Sequence, residues 1–111
     1  MLPFRFRGLA AAAIFASLAV NAHAAPAPVT VKISNFTFDA PVVTVPVGTT
    51  VTWVNDDDIP HTVVSDDRKA FRSRVMDTDG RFSFTFGTPG TFNYFCSIHP
   101  HMTGKVVVKA S

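Results

Sequence analysis

Apolar and polar residues alternate along much of the chain with a period of two, the mark of strands buried on one face. Val29 to Ile33 shows it first, and Val42 to Val45 follows after Asp39-Ala40-Pro41. Thr49 to Asn55 places Val51 and Trp53 on one face, and His61 to Ser65 is a short β-branched run. Arg81 to Phe86 aligns Phe82, Phe84 and Phe86; Thr91 to Cys96 aligns Phe92, Tyr94 and Cys96. Gly104 to Lys109 turns Val106 and Val108 inward. Pro46-Val47-Gly48 and Gly87-Thr88-Pro89-Gly90 read as turns between such runs. No helical period of useful length occurs. Residues 66–80 form a long polar connection with room for a helical turn. The pattern predicts an all-β sandwich of about seven to eight short strands. Eight Phe residues downstream of residue 24, with Trp53, supply much of its core.

The N-terminus departs from this pattern. Arg5 and Arg7 precede an apolar, Ala-rich stretch from Gly8 to Val20, and Ala22-His23-Ala24 follows. These are the three parts of a secretory signal, with cleavage expected after Ala24. The apolar stretch has 13 residues, whereas a spanning helix needs about 20. The expected organisation is a signal at 1–24 and one domain at 25–111, with no membrane attachment of the mature form.

Export changes what the composition means. The 111-residue chain carries a formal charge of +2 and a pI near 9.0. Cleavage leaves 87 residues, in which eight Lys and Arg balance eight Asp. The basic excess belongs to the signal, so it is no argument for nucleic-acid binding. One cysteine, Cys96, excludes an intramolecular disulfide. The acids are all Asp, with no Glu. No Ser-His-Asp set, paired-carboxylate site or Gly-rich phosphate loop stands out, so an enzyme is not expected.

Candidate chemistry is concentrated between Cys96 and Met102. Cys96, His99 and Met102 follow a Cys-x2-His-x2-Met spacing, with His101 beside them. A tight loop can turn such residues to one point, and His61 remains to supply a fourth group. Each residue has a plainer use alone, Cys and Met as core filler and the histidines as a solvated pair. Together they must account for a free thiol in an exported protein, where it is open to oxidation. Structural zinc sites seldom take a thioether, and calcium and magnesium want oxygen. Two imidazoles, a thiolate and a weak thioether match the blue-copper arrangement.

The residues carrying this chemistry, and those around them, resemble the cupredoxins, most of all the amicyanin–plastocyanin group. The resemblance runs from about Val29 to Lys109. It rests on Val51-Thr52-Trp53-Val54-Asn55, Pro60-His61, Gly90-Thr91-Phe92-Asn93-Tyr94-Phe95-Cys96 and His99-Pro100-His101-Met102-Thr103-Gly104-Lys105. It implies a Greek-key β-sandwich and one type 1 copper ion held by His61, Cys96, His99 and Met102. It further implies that Asn55 ties the two ligand loops together. Two positions depart from the group's pattern. Ile98 stands where Pro is usual, and its amide is expected to donate to the Cys96 sulfur. His101 stands where amicyanins carry Phe, either as a plain solvent-facing side chain or as a pH-sensitive docking residue.

The expected function is single-electron transfer in the periplasm. An apolar collar of Ile59, Pro60, Ile98 and Pro100, with His101, would receive transient redox partners of dehydrogenase or cytochrome type around His99. The protein is expected to be a monomer. The competing reading is a copper-binding or delivery protein without redox turnover.

Overall fold

The computed structural model describes residues 24–110. The expected signal, residues 1–24, lies outside them but for Ala24. Eight strands are present: β1 (Val29–Ser34), β2 (Thr37–Phe38), β3 (Val42–Pro46), β4 (Thr49–Asn55), β5 (Val64–Ser65), β6 (Arg81–Phe86), β7 (Gly90–Phe95) and β8 (Thr103–Lys109). There is no helix among the described residues. The expected strands are all there, with ends shifted by a residue or so, except that the His61 run shortens to Val64–Ser65. The short β2 is additional. It forms because Asn35 and Phe36 turn the chain back on β1, pairing Ile33 with Phe38.

The strands make two four-stranded sheets, ordered β2-β1-β4-β6 and β3-β8-β7-β5. β1 lies parallel to β4, and β3 parallel to β8. Parallel neighbours cannot be joined by a hairpin, so the chain crosses between sheets to make each pair. The parallel β1/β4 register has a functional consequence. It brings the β1–β2 turn to the same end as the loop after β4.

The inward residues of both sheets meet at Trp53. Its ring stacks on Phe71 and Phe82, with centroids 5.9 and 5.8 Å away, and meets Tyr94 edge-on at 5.3 Å. The aligned Phe82, Phe84 and Phe86 do share this side, but only Phe86 is fully covered. Gly104 faces Tyr94 across the β7–β8 ladder. A Cβ there would lie 2.5 Å from both Cζ and Oη of Tyr94, so only glycine fits. Gly48 has φ +92°, which the turn after β3 requires. Burial pushes the Tyr94 phenol up to about 12; the Trp53 indole opposes that shift without closing a hydrogen bond of normal geometry.

The 66–80 connection is extended rather than helical. Phe71, Ser73 and Met76 are buried, and isolated bridges pair Val64 with Arg72 and His61 with Met76. Its first turn is capped by Asp67, whose carboxylate accepts from the amides of Ala70 and Lys69 and from the Ser65 hydroxyl. Those bonds hold its pKa down to about 2. The inward apolar residues therefore dock this segment as an edge of the sandwich, which a free helical turn would not achieve.

Candidate metal centre

His61 is fixed before its ring is considered. The His61 amide donates to the Met76 carbonyl at 3.1 Å, and the Met76 amide donates back at 2.8 Å. The side chain is fully buried. Its Nε2 lies 2.8 Å from Oδ2 of Asp57. An ionised carboxylate only accepts, so this bond assigns the proton to Nε2 and leaves the Nδ1 lone pair free. Burial raises the Asp57 pKa, but the amides of Phe36 and Asn35 and the His61 ring outweigh it, and the net value lies below 3.8.

Cys96, also fully buried, opens the loop between β7 and β8. Three backbone bonds wind that loop tightly: His99 amide to Cys96 carbonyl at 3.2 Å, Met102 amide to His99 carbonyl at 2.8 Å, and Cys96 amide to Met102 carbonyl at 3.0 Å. The result sets Cys96 Sγ 3.8 Å from Nδ1 of His61 and 3.7 Å from Nδ1 of His99. The three donor atoms all lie within 4.8 Å of one another. Met102 is buried on the same loop.

The two sulfur–nitrogen sides of this triangle suit a first-row ion. With bonds of about 2.0 Å to nitrogen and 2.3 Å to sulfur, separations of 3.7 and 3.8 Å subtend angles of about 120° at the ion. A thiolate with two imidazoles and a nearby thioether favours copper over the oxygen-seeking ions.

The bonds around the donors differ from two expectations. Asn55 is fully buried, but its Nδ2 donates to the carbonyls of Ile59 and Met76, and its Oδ1 accepts from the Asp57 amide. It braces the His61 loop alone, because its side chain leaves the end of β4 on that side. The tie between the ligand loops is Thr62. Its hydroxyl accepts from the Ser97 amide at 2.7 Å and pairs with the Ser97 hydroxyl at 2.7 Å. The amide that reaches the Cys96 sulfur is likewise that of Thr62, at 3.4 Å, not that of Ile98. Ile98 sits at the outer bend of the loop with its side chain 45% exposed.

Ile59, Pro60, Ile98 and Pro100, which flank His61 and His99 in the chain, are all exposed. Phe36 and Val75 are exposed as well, each close to His61 in the fold. His101 stands outside the donor triangle. It is exposed and, with Met102, Phe36, Phe38, Pro41 and Thr103, lines a cavity of about 220 Å³.

Sequence reasoning missed Thr62, Asp57 and Phe36. Adjacency to His61 was the available signal for Thr62, and a carboxylate four residues before a candidate ligand was the signal for Asp57. Phe36 had none, since its place beside the imidazoles depends on the turn between β1 and β2.

Comparison with known proteins gives the same picture. The family model for the cupredoxin-like domain matches residues 8–108. The chain belongs to the cupredoxin-like family. It is 40% identical over 87 residues to an amicyanin of Paracoccus versutus, a match spanning 73% of this chain and 64% of that protein. Amicyanin-alpha of Methylorubrum extorquens is 37% identical over 110 residues, spanning 91% of this chain and 92% of the relative. A chloroplastic plastocyanin of Tetradesmus obliquus is 30% identical, spanning 84% and 72%. Among solved structures, the crystal structure of the Paracoccus versutus amicyanin superposes with a TM-score of 0.69 at 37% identity, covering 74% of this chain and 81% of that one. A Cu(I) form of an amicyanin variant superposes equally well at 33% identity, covering 74% and 82%. Both the family and the all-β sandwich expected from the strand pattern are thereby established.

Proposed function

We propose that the protein is a type 1 copper electron carrier, with His61, Cys96, His99 and Met102 as ligands. The reading rests on one observation. A buried cysteine sulfur stands 3.7–3.8 Å from two imidazole nitrogens, in a site built by two loops hydrogen-bonded to each other. Bound copper supplies the one-electron change between Cu(I) and Cu(II).

The chain supplies a site of fixed shape. Asp57 orients His61 through Nε2, the Thr62 amide holds the Cys96 sulfur, and the Thr62 hydroxyl locks the two ligand loops. Donors held this way move little when the charge of the site changes, which keeps the reorganisation cost of electron transfer low. His99 is only partly covered, and its ring edge is the port. The exposed apolar residues around it suit a small, short-lived contact with a redox protein of dehydrogenase or cytochrome type. On this reading the site passes electrons between proteins, and no enzymatic role is proposed. A monomer exported to the periplasm by a signal ending at Ala24 completes the proposal, supported by the order of basic, apolar and small residues at the N-terminus.

Voltammetry of the copper-loaded protein tests this. A reversible one-electron wave, with copper retained in both states, is expected. Copper lost to a Cu(I) chelator on reduction, with no reversible wave, would replace the carrier with a copper-delivery protein.

A further inference from the structure

Phe36 occupies a position that neither the core nor the turn explains. It and Asn35 both have left-handed backbone, with φ of 59° and 53°. A bulky residue in that region is a genuine outlier, and such strain persists only where surrounding structure enforces it. The enforcing group is Asp57. Its Oδ1 accepts from the Asn35 amide at 2.6 Å, and its Oδ2 accepts from the Phe36 amide at 2.9 Å. Oδ2 is also the oxygen that receives Nε2 of His61. One carboxylate therefore pins the strained turn to a metal ligand.

The ring is 42% exposed and takes no part in the hydrophobic core. Glycine would suit this backbone better, so the ring's use must lie in what it touches. It meets His61 at 5.6 Å with an interplanar angle of 88°, and His99 at 5.1 Å with an angle of 89°. The two imidazoles are themselves 5.0 Å apart. One phenyl ring thus packs edge-on against both, on the side where the turn overhangs the site.

We propose that Phe36 is a positioning residue for electron transfer, a wedge that holds the two imidazoles and keeps water off that side of the site. The inference rests on the copper-carrier reading above. Its physical consequence follows from charge. Copper with its direct ligands, a thiolate and two neutral imidazoles, carries +1 as Cu(II) and is neutral as Cu(I), while the hydrogen-bonded Asp57 carboxylate keeps the same charge in both states. Replacing water by an apolar ring disfavours the more charged state, so the wedge favours reduction.

The test compares the copper-loaded parent with Phe36→Gly and Phe36→Leu. Each is equilibrated with a one-electron redox mediator of known potential, which gives the protein one electron and is itself oxidised by one. Unfolding of each metal-free protein is followed in parallel. Phe36→Gly is expected to shift the equilibrium about tenfold toward Cu(II), which for one electron is about 59 mV. Its metal-free form should melt no lower than the parent, because glycine relieves the strained turn. Phe36→Leu should keep the parent equilibrium within threefold, since it retains apolar cover.

A shift of less than threefold in Phe36→Gly would overturn the inference. So would an equal shift in Phe36→Leu, or a lower melting temperature of metal-free Phe36→Gly, which would make the ring a structural prop. If the parent itself shows no reversible exchange with the mediator, the copper-carrier reading falls and the wedge falls with it. If the parent exchanges normally and the glycine variant matches it, the wedge alone is wrong.

Discussion

Thr62→Val isolates the bond that joins the two ligand loops. Valine keeps the shape and the backbone amide, so the amide's donation to the Cys96 sulfur at 3.4 Å survives. What disappears is the hydroxyl, with two bonds of 2.7 Å to the amide and hydroxyl of Ser97 and a longer contact of 3.8 Å to the Cys96 sulfur. A hydrogen bond of this kind contributes about 1 kcal/mol net, and Ser97 is exposed enough for water to replace part of it. The expected loss is about 1–2 kcal/mol, or roughly 5–10 °C in a domain of this size. Urea unfolding of the metal-free protein measures it, as a lower midpoint with an unchanged slope. Thr62→Ser, which keeps the hydroxyl, should recover most of the loss. With the loops untied, copper should leave Thr62→Val faster than the parent in a chelator competition. A midpoint within about 0.5 kcal/mol of the parent, or a serine variant as weak as valine, would show that the loops are held by something else.

Other predictions probe the frame and the donors. Gly104→Ala drives a methyl into the immobile Tyr94 ring, and overpacking of this kind should cost about 2–3 kcal/mol in denaturant unfolding; a smaller cost would mean that β7 and β8 can part. The Tyr94 phenol has a folded pKa of about 12 against 10.0, so the folded state holds its proton longer than the unfolded one. The stability this represents is intact below pH 10 and lost as pH rises to 12, on the order of 2–3 kcal/mol, and Tyr94→Phe should flatten that decline in melting curves. Asp57→Ala should lower copper affinity about 10–100-fold by freeing the His61 ring, measured by competition with a chelator of known affinity. Because the folded pKa of Asp57 lies below the ordinary value, its contribution is present above about pH 4 and fades below it. Metal-free Asp57→Ala should accordingly lose less stability than the parent on acidification.

The strands were legible because each alternates cleanly against one core. Val51 and Trp53, Tyr94 and Cys96, and Val106 and Val108 are buried as their period required. The cluster of soft donors was legible because Cys96, His99 and Met102 share one short loop. Residues 66–80 were not, since their few inward side chains, Phe71, Ser73 and Met76, follow neither a strict strand nor a helix period. The partners of the donors were less legible still. Asn55 and Ile98 were assigned bonds that Thr62 makes, because a bond between loops depends on how the two sheets set those loops side by side. Asp57 and Phe36 lie 21 residues apart and meet only because β1 runs parallel to β4.

The central claim is that the Cys96 sulfur is the thiolate ligand of a type 1 copper ion. Stoichiometric Cu(II) titration of the metal-free protein, read by visible absorption on the parent and on Cys96→Ser, tests it most directly. An intense blue thiolate-to-copper band that saturates at one equivalent in the parent and is absent from the serine variant is the predicted result. A parent that binds Cu(II) without that band, or a serine variant that keeps it, would contradict the account.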